Sequence, residues 1–400
     1  MTTSADNSSG AGKDGSAARG IAPLMAILLM AFLATGVMLP ALPLHMHHSL
    51  GLGSGWLGAV TGSHFIVAIL TRPHAGRMAD RRGGKPVVLI GLGLSIAGGL
   101  LSAVSLMCVD APMLSAAILA TGRVLLGAAE SFLITGAVGW GITLVPAGRR
   151  AFAISWLGSA MFLAFALAMP LGSFIYGQGG FAAIALTTVL LPLPALVILR
   201  QLRNTTIRSE GTVRAVAVLR AVVAPGVALG LASLGYGVVL IYTVLLFEIE
   251  RWPWGWLAIT GFSVAFVALR LAFGTLPDRF GGGRVAGLSL LAQALGLAVI
   301  GLATGPVMAL GGAVLAGLGY AFVFPGLGIE ALRRAPKGAG GTAMAFYTAY
   351  LDLALGLGIP VLGLTADHLG VQSIFFIAAI TSVLAMILSL RLGRWQDTDG

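Results

Sequence analysis

Long runs without a charged residue constrain this chain more than any other feature of its sequence. No Asp, Glu, Lys or Arg occurs between Arg150 and Arg200, or from Val285 to Ile329. A helix needs about 20 apolar residues to cross the hydrocarbon of a bilayer, so each run is long enough for two crossings. Only 10% of all residues are charged, whereas a soluble globular chain carries about 25%. The chain is therefore predicted to be an integral membrane protein.

Twelve apolar segments are predicted to cross the membrane. They cover residues 21–44, 56–75, 87–107, 113–141, 151–176, 180–200, 222–247, 255–276, 285–304, 306–329, 342–366 and 371–391. Twelve crossings need roughly 240 apolar residues, which matches the 58% of the 400 residues that are hydrophobic. The predicted fold class is an all-α membrane protein with twelve transmembrane helices.

The basic residues are distributed unevenly over the loops between these segments. Of the 24 Lys and Arg residues, 20 lie in one set of alternating loops and termini, and only Arg251 lies in the other set. Lys and Arg are enriched in cytoplasmic loops, so both termini are predicted to be cytoplasmic. The net charge of +10 then follows from topology, and nucleic-acid binding is not needed to explain it.

The two halves of the chain carry the same motif between corresponding segments. Five residues of the first half recur 198 positions later in the second. They are Arg72, Gly76, Asp80, Arg81 and Gly83, and they correspond to Arg270, Gly274, Asp278, Arg279 and Gly281. Three more residues recur 190 positions later. They are Gly127, Pro146 and Pro170, and they correspond to Gly317, Pro336 and Pro360. Parallel six-helix repeats are one construction of secondary transporters.

The repeat and the polar stretch at mid-chain predict five regions. Residues 1–20 are rich in Ser, Gly and Ala and are expected to form a disordered cytoplasmic tail. Residues 21–200 form an N-terminal six-helix bundle, 201–221 a cytoplasmic linker, 222–391 a C-terminal six-helix bundle and 392–400 a second tail.

Several motifs resemble those of the major facilitator superfamily. The loop Gly76-x-x-x-Asp80-Arg81-x-Gly83-x-Lys85 is similar to the cytoplasmic signature between helices 2 and 3 of that family. Arg123-x-x-x-Gly127 resembles its helix-4 motif, which is found mainly in proton-coupled members. The segment Gly158…Met169-Pro170-Leu171-Gly172 resembles the antiporter motif of exporters, with Met169 where the family has a glycine.

The stretch from Gly127 to Gly136 is also similar to bacterial proton-coupled drug and sugar exporters of the arabinose-efflux-like group. The resemblance implies two pseudo-symmetric six-helix bundles that rock around a cavity lined by spans 1, 4, 7 and 10. It also implies a multi-pass protein of a bacterial-type plasma (inner) membrane.

The repeated loops are candidates for a gate. A carboxylate at Asp80 or Asp278 is suited to cap a helix N-terminus of the opposite half, and a glycine lets helices approach closely. The candidate gating residues are Gly76, Asp80, Arg81, Arg72, Asp278, Arg279 and Arg270. The alternative is that these residues only set topology and loop shape.

Ionisable residues inside the segments are candidates for proton coupling, because a charge in the bilayer is costly and demands a reason. Arg123 and Glu130 are seven residues apart, so they share a helix face at a separation of roughly 10 Å. His64 and Asp352 are expected to meet, because the family fold packs helix 2 against helix 11. The alternatives are a permanent ion-pair network for the first pair and two separately satisfied polar groups for the second.

These features predict efflux of a small organic solute (a drug, sugar or metabolite) in exchange for protons. The candidate substrate-binding residues are Arg123, Glu130, Trp140, Tyr236, Tyr242, Tyr320 and Phe324. A proton-symport importer or facilitator of a nutrient is the first alternative. A non-transporting membrane sensor or partner protein is the alternative from another class.

No ATP-binding loop, nucleophile elbow or metalloprotease motif occurs in the sequence, so we expect neither an enzyme nor a cofactor. His45, His47 and His48 are close enough in sequence to bind a transition metal, but no Cys or acidic residue stands beside them. We interpret them as interfacial residues and predict no metal site. The expected partners are a small-molecule substrate, protons and the lipid bilayer, without nucleic acid, and the protein is expected to be monomeric.

Overall fold

The computed structural model describes residues 6–146, 150–205, 215–274, 276–336 and 339–394. Sixteen α-helices, and no strand, occur in this part of the chain. They are α1 (Asp6–Gly36), α2 (Ala41–Leu44), α3 (Ser54–Arg82), α4 (Gly84–Ser105), α5 (Pro112–Thr143), α6 (Arg150–Leu190), α7 (Pro192–Gln201), α8 (Ala215–Ile249), α9 (Gly255–Phe273), α10 (Leu276–Phe280), α11 (Gly282–Gly301), α12 (Pro306–Tyr320), α13 (Val323–Arg334), α14 (Gly340–Leu353), α15 (Ile359–Leu369) and α16 (Val371–Arg394).

Ten helical stretches of the described residues are long and apolar enough to cross a membrane. One of them, Trp156–Gln201, has 46 residues and contains Gly180, whose φ of 62° and ψ of −159° are not helical. Because about 20 residues suffice for one crossing, this stretch supplies two. A shorter apolar helix, Gly255–Arg270, supplies the remaining one. The prediction of an all-α protein with twelve transmembrane helices is confirmed.

Three crossings are interrupted inside the bundle. A turn over residues 37–40 separates α1 from α2, and Ala321 and Phe322 separate α12 from α13. A π-helical turn, Ala354–Gly358, separates α14 from α15. Irregular backbone at membrane depth is tolerated only where protein buries it or where it lines a cavity, so these breaks mark the interior of the protein.

The first helix is longer than the sequence suggested. α1 begins at Asp6 and so extends into the stretch for which composition predicts a disordered tail. Once a helix has formed, each added residue gains a hydrogen bond without a new nucleation step, and Ala17 and Ala18 favour that extension. The helix thus begins before residue 20, and the division of the chain into five regions stays a prediction.

Matching glycine contacts relate the two halves. Between α4 and α5, a Cβ on Gly98 would lie 2.9 Å from the carbonyl oxygen of Gly122. Between α11 and α12, a Cβ on Gly296 would lie 2.6 Å from the carbonyl oxygen of Gly312. Gly296 lies 198 positions after Gly98, and Gly312 lies 190 positions after Gly122, which are the two offsets of the repeated motifs. Equivalent helices of the two halves therefore pack through equivalent small residues.

A second matched contact lies closer to the centre of the protein. Gly127 of α5 packs directly on the backbone of His64 in α3, and Gly317 of α12 packs directly on the backbone of Phe262 in α9. His64 and Phe262 are thus equivalent positions of the repeat. The two halves join through α3 with α14 and α15, and through α6 with α9, which is the pairing that a two-fold relation between the halves requires.

Candidate functional site

The centre of the first half contains a buried pair of ionisable side chains. The Nε2 atom of His64 lies 2.8 Å from Oε2 of Glu130, and their side chains are 1% and 13% exposed. The contact is possible because Gly127, one turn before Glu130, brings α5 against the backbone of α3. The prediction that His64 meets Asp352 is wrong: the approach of α5 places Glu130, and not Asp352, within reach of the imidazole.

Arg123 lies on the same face of α5, two turns before Glu130. Its side chain is 1% exposed, and it is close enough to His64 and Glu130 to interact with both electrostatically. Its Nε and Nη1 atoms have no hydrogen-bond partner. Arg123 and Glu130 thus both interact with His64 of α3, and their joint role stays a prediction.

Asp352 bonds to a different cation, across the two halves. Nη2 of Arg72 in α3 lies 2.7 Å from Oδ2 of Asp352 in α14, and Nη1 of Arg72 donates to Oγ1 of Thr348 at 3.0 Å. Arg72 is also within electrostatic range of Glu130. Arg72 therefore connects the pair in the first half with the contact that joins the halves.

Four aromatic side chains of the second half form what we call the aromatic cluster: Tyr236, Phe262, Phe266 and Tyr320. The rings of Tyr236 and Tyr320 stack at 4.8 Å, Phe262 lies 5.9 Å from Tyr236, and Phe266 lies 6.1 Å from Tyr320. Oγ of Ser233 lies 3.0 Å from the Tyr320 hydroxyl. In the repeat, Phe262 and Tyr320 occupy the positions of His64 and Glu130, so one half is polar where the other is aromatic.

A pocket lies between the aromatic cluster and the first half. It is lined by Tyr236, Leu240, Phe262, Ser263 and Phe266 of the second half and by Phe165, Ala166 and Met169 of α6. Tyr236 is also within electrostatic range of Glu130. Of the predicted substrate contacts, Glu130, Tyr236 and Tyr320 are therefore brought together at this interface.

Three predicted substrate contacts lie elsewhere. Trp140 is fully buried in the core of the first half, where it packs on Gly84. The hydroxyl of Tyr242 donates to the carbonyl oxygen of Ile359 at 3.1 Å, and Phe324 packs on Tyr347 with ring centres 5.4 Å apart. These three side chains are engaged in packing in this conformation.

The halves are sealed together at the end of the bundle where α3 begins. The carboxylate of Asp367 in α15 accepts the backbone N–H groups of Ser54 and Gly55 at 2.7 and 2.8 Å. A carboxylate at a helix N-terminus is favoured by the free N–H groups and by the helix dipole. Nearby, Nε2 of His48 lies 3.1 Å from Oε1 of Glu248. We call this region the sealed end.

The predicted gating residues lie at the other end of α3. Asp80, Arg81 and Arg279 are exposed, and the side chain of Asp278 lies outside the described residues. A Cβ on Gly76 would come no closer than 4.0 Å to its neighbour Thr135. Polar contacts between the halves occur at the sealed end and along α3 as far as Arg72. The gating role of the repeated loops stays a prediction.

Two acids with structural roles escaped the sequence reasoning. Asp367 lies just beyond a predicted segment, and no motif marks it as a cap for a helix 313 residues away in the chain. Glu330 is 0% exposed and accepts the N–H of Gly283 at 3.3 Å and Nη2 of Arg333 at 2.6 Å. Its position directly after a 45-residue uncharged run was a signal that it belongs to the packed end of α13.

The histidines near the sealed end point in different directions. His45 is buried and stacks on Phe181 at 4.1 Å, whereas His48 faces Glu248. In the described residues, no group of three or more His, Cys, Asp or Glu side chains converges to hold a metal ion.

Sequence comparison identifies the family. The profile of the Major Facilitator Superfamily matches residues 24–258 and 253–396. An uncharacterized MFS-type transporter of Salmonella typhimurium is 38% identical over 287 residues, which cover 72% of this chain and 74% of the relative. The uncharacterized MFS-type transporter YhhS of Escherichia coli is 36% identical over 279 residues, covering 70% of this chain and 69% of the relative.

Solved structures show the same fold at low sequence identity. A D-xylose-proton symporter superposes with a TM-score of 0.78 at 16% identity, covering 93% of this chain and 97% of the other. The human organic anion transporter MFSD10 superposes with a TM-score of 0.70 at 16% identity, covering 93% and 99%. The chain therefore belongs to the major facilitator superfamily and is a multi-pass membrane transporter, not an enzyme.

Proposed function

We propose that this transporter exports a small organic solute in exchange for protons, and that Glu130 and His64 carry the proton. The observation that supports this most is the 2.8 Å contact between the two side chains inside the membrane. Inserting a charged side chain at mid-bilayer costs about 2.5–3.5 kcal/mol. A carboxylate buried at this depth is therefore expected to have a function that requires its charge. Glu130 keeps 13% of its side chain exposed, so the carboxylate is less enclosed than its partner His64.

Protonation of Glu130 has consequences for the contact between the halves. It removes a negative charge that acts on His64, Arg123 and Arg72. Arg72 also holds Asp352 of the second half at 2.7 Å. When Glu130 is protonated, Asp352 is the only charged carboxylate of the two that attracts Arg72. When Glu130 releases its proton, both carboxylates attract Arg72. This competition links proton binding to the rocking of the halves.

The direction of transport is proposed from two features. The basic loops favour a cytoplasmic location for the end of α3 at Arg82, so the sealed end is assigned to the outer side of the membrane. The antiporter-like segment packs tightly on the first crossing, where a Cβ on Gly172 would lie 2.9 Å from Pro40. An inner-membrane location and cytoplasmic termini belong to the same proposal.

Transport in proteoliposomes tests the proposal. Candidate solutes are first screened by thermal shift on the purified protein at two pH values, and the strongest binder is used as the transported probe. Exchange with protons predicts that the solute accumulates in vesicles when the interior is more acidic than the bath. Accumulation only when the bath is more acidic would indicate symport, and no gradient-driven flux of any solute would indicate a sensor or partner protein.

A further inference from the structure

Arg123 is a buried cation with two donor nitrogens that no hydrogen-bond partner satisfies. Its side chain is 1% exposed, and Nε and Nη1 have no hydrogen-bond partner. The described residues place no carboxylate within 4.0 Å of it. An unpaired buried charge is costly, and unsatisfied donors add to that cost. An arrangement of this kind is stabilised by an anion that arrives from outside the chain.

The charges around Arg123 favour an anion over a cation. Arg123, Arg72 and His64 all act on Glu130 electrostatically. Both nearby carboxylates already have direct partners, Glu130 at 2.8 Å to His64 and Asp352 at 2.7 Å to Arg72. Arg123 is therefore left without a carboxylate in direct contact. A cationic solute beside Arg123 would meet repulsion from it, whereas an anionic solute would become its direct partner.

The other side of the interface favours an apolar body. Tyr236 lies within electrostatic range of Glu130 and stacks on Tyr320 at 4.8 Å. The adjoining pocket is lined mainly by aromatic and aliphatic side chains. Aromatic rings of this kind bind a flat or apolar group by burial and by stacking.

Resting on the proposed function, we infer that the solute is a small organic anion with an aromatic or apolar body, and that Arg123 binds its anionic group. The guanidinium donates charge-assisted hydrogen bonds to a carboxylate or phosphonate of the solute. The body of the solute lies towards Tyr236 and the rest of the aromatic cluster. Arg123 is thereby assigned a role in selecting the charge of the solute, separate from the proton-carrying pair.

Ligand preference of the wild-type protein tests the charge assignment without any variant. Benzoate, phenylacetate and phenylphosphonate are compared with benzamide and benzylamine, which keep the ring and replace the anion by a neutral or a positive group. Thermal stabilisation and tryptophan fluorescence of the purified protein report binding. The expected result is saturable binding of at least one anion and a preference for it of about tenfold or more over its neutral analogue. Equal binding of benzamide, a preference for benzylamine, or no binding of any anion would overturn the inference.

Substitution of Arg123 tests the residue. In Arg123→Gln, affinity for the anion is expected to fall about tenfold to a hundredfold, because charge-assisted hydrogen bonds are lost. Arg391→Gln, which removes an exposed arginine on α16, is the matched control and keeps wild-type affinity. Arg123→Lys retains the charge and is expected to recover part of the affinity if Arg123→Gln does not fold. The assignment would be contradicted if Arg123→Gln or Arg123→Lys bound the anion with wild-type affinity and kept the wild-type preference for the anion over benzamide.

Binding in detergent is measured without a proton gradient, so it separates this inference from the proposed function. Anion selectivity without gradient-driven flux would leave the charge assignment intact and contradict proton exchange. Gradient-driven flux of a neutral or cationic solute would support proton exchange and contradict the charge assignment.

Discussion

Arg72 and Asp352 join the two halves of this transporter through a contact of 2.7 Å between Nη2 and Oδ2. Both side chains are largely buried, at 14% and 5% exposed. Asp352 also lies within electrostatic range of Glu130, so Arg72 separates two carboxylates that repel each other. The cation is consequently more important to this contact than either acid alone.

This relationship predicts an asymmetry between two variants. Arg72→Gln leaves Asp352 and Glu130 buried without the cation between them and is expected to destabilise the protein by about 3 kcal/mol. Asp352→Asn leaves Arg72 with Glu130 nearby and is expected to cost clearly less. Thermal unfolding of the purified variants measures both.

The double variant Arg72→Gln/Asp352→Asn is the control for this asymmetry. It removes the repulsion together with the cation and is expected to be more stable than Arg72→Gln alone. Equal losses in the two single variants, with simple addition in the double variant, would show that the pair acts without Glu130.

The cap at the sealed end predicts a shift between conformations. Asp367→Ala removes the acceptor of two N–H groups of α3, a loss of about 1–2 kcal/mol for a helix cap. The open population of this end should rise roughly tenfold. Distances between spin labels at positions 49 and 369, in a protein whose single cysteine Cys108 is replaced by serine, report the opening.

Glu248→Gln is the matched control for the cap. It breaks the ion pair with His48 at the same end, but both side chains are nearly half exposed, at 44% and 46%. Exposed pairs contribute about 0–1 kcal/mol, so this variant should leave the distance distribution close to wild type. An opening in Glu248→Gln as large as in Asp367→Ala would refute the importance of the cap.

The glycine contacts predict which positions tolerate a methyl group. Alanine at Gly127 or Gly317 would place Cβ against the backbone of His64 or Phe262, so both variants should lower the unfolding temperature and the yield of folded protein. Alanine at Gly93 or Gly311, where no atom lies within 4 Å of the added Cβ, should be neutral or slightly stabilising, because alanine favours helix. Similar unfolding temperatures for all four variants would be inconsistent with the packing described here.

The sequence contained most of the fold because membrane crossings are set by local composition. The uncharged runs and the repeated motifs predicted twelve helices, and the repeat offsets relate the glycine contacts of the two halves. Breaks within crossings, such as the π turn Ala354–Gly358, were not predicted, because apolar composition alone does not register where a helix is interrupted.

The candidate site was predicted in part. Periodicity placed Arg123 and Glu130 on one face, but the partner of His64 depends on which helix approaches α3 most closely. That is a tertiary property, and the best sequence signal for it was Gly127, the repeated glycine that brings α5 onto His64. The cap by Asp367 depends on a contact between residues over 300 positions apart, for which local sequence holds no information.

The coupling role of Glu130 is tested most directly by comparing two modes of transport in Glu130→Gln. Proteoliposomes are loaded with the solute to measure exchange of labelled for unlabelled solute, and a pH gradient is imposed on unloaded vesicles to measure accumulation. We predict that Glu130→Gln exchanges solute but no longer accumulates it, while wild type and Glu248→Gln do both. Accumulation by Glu130→Gln at the wild-type rate and to the wild-type level would contradict proton coupling through this residue.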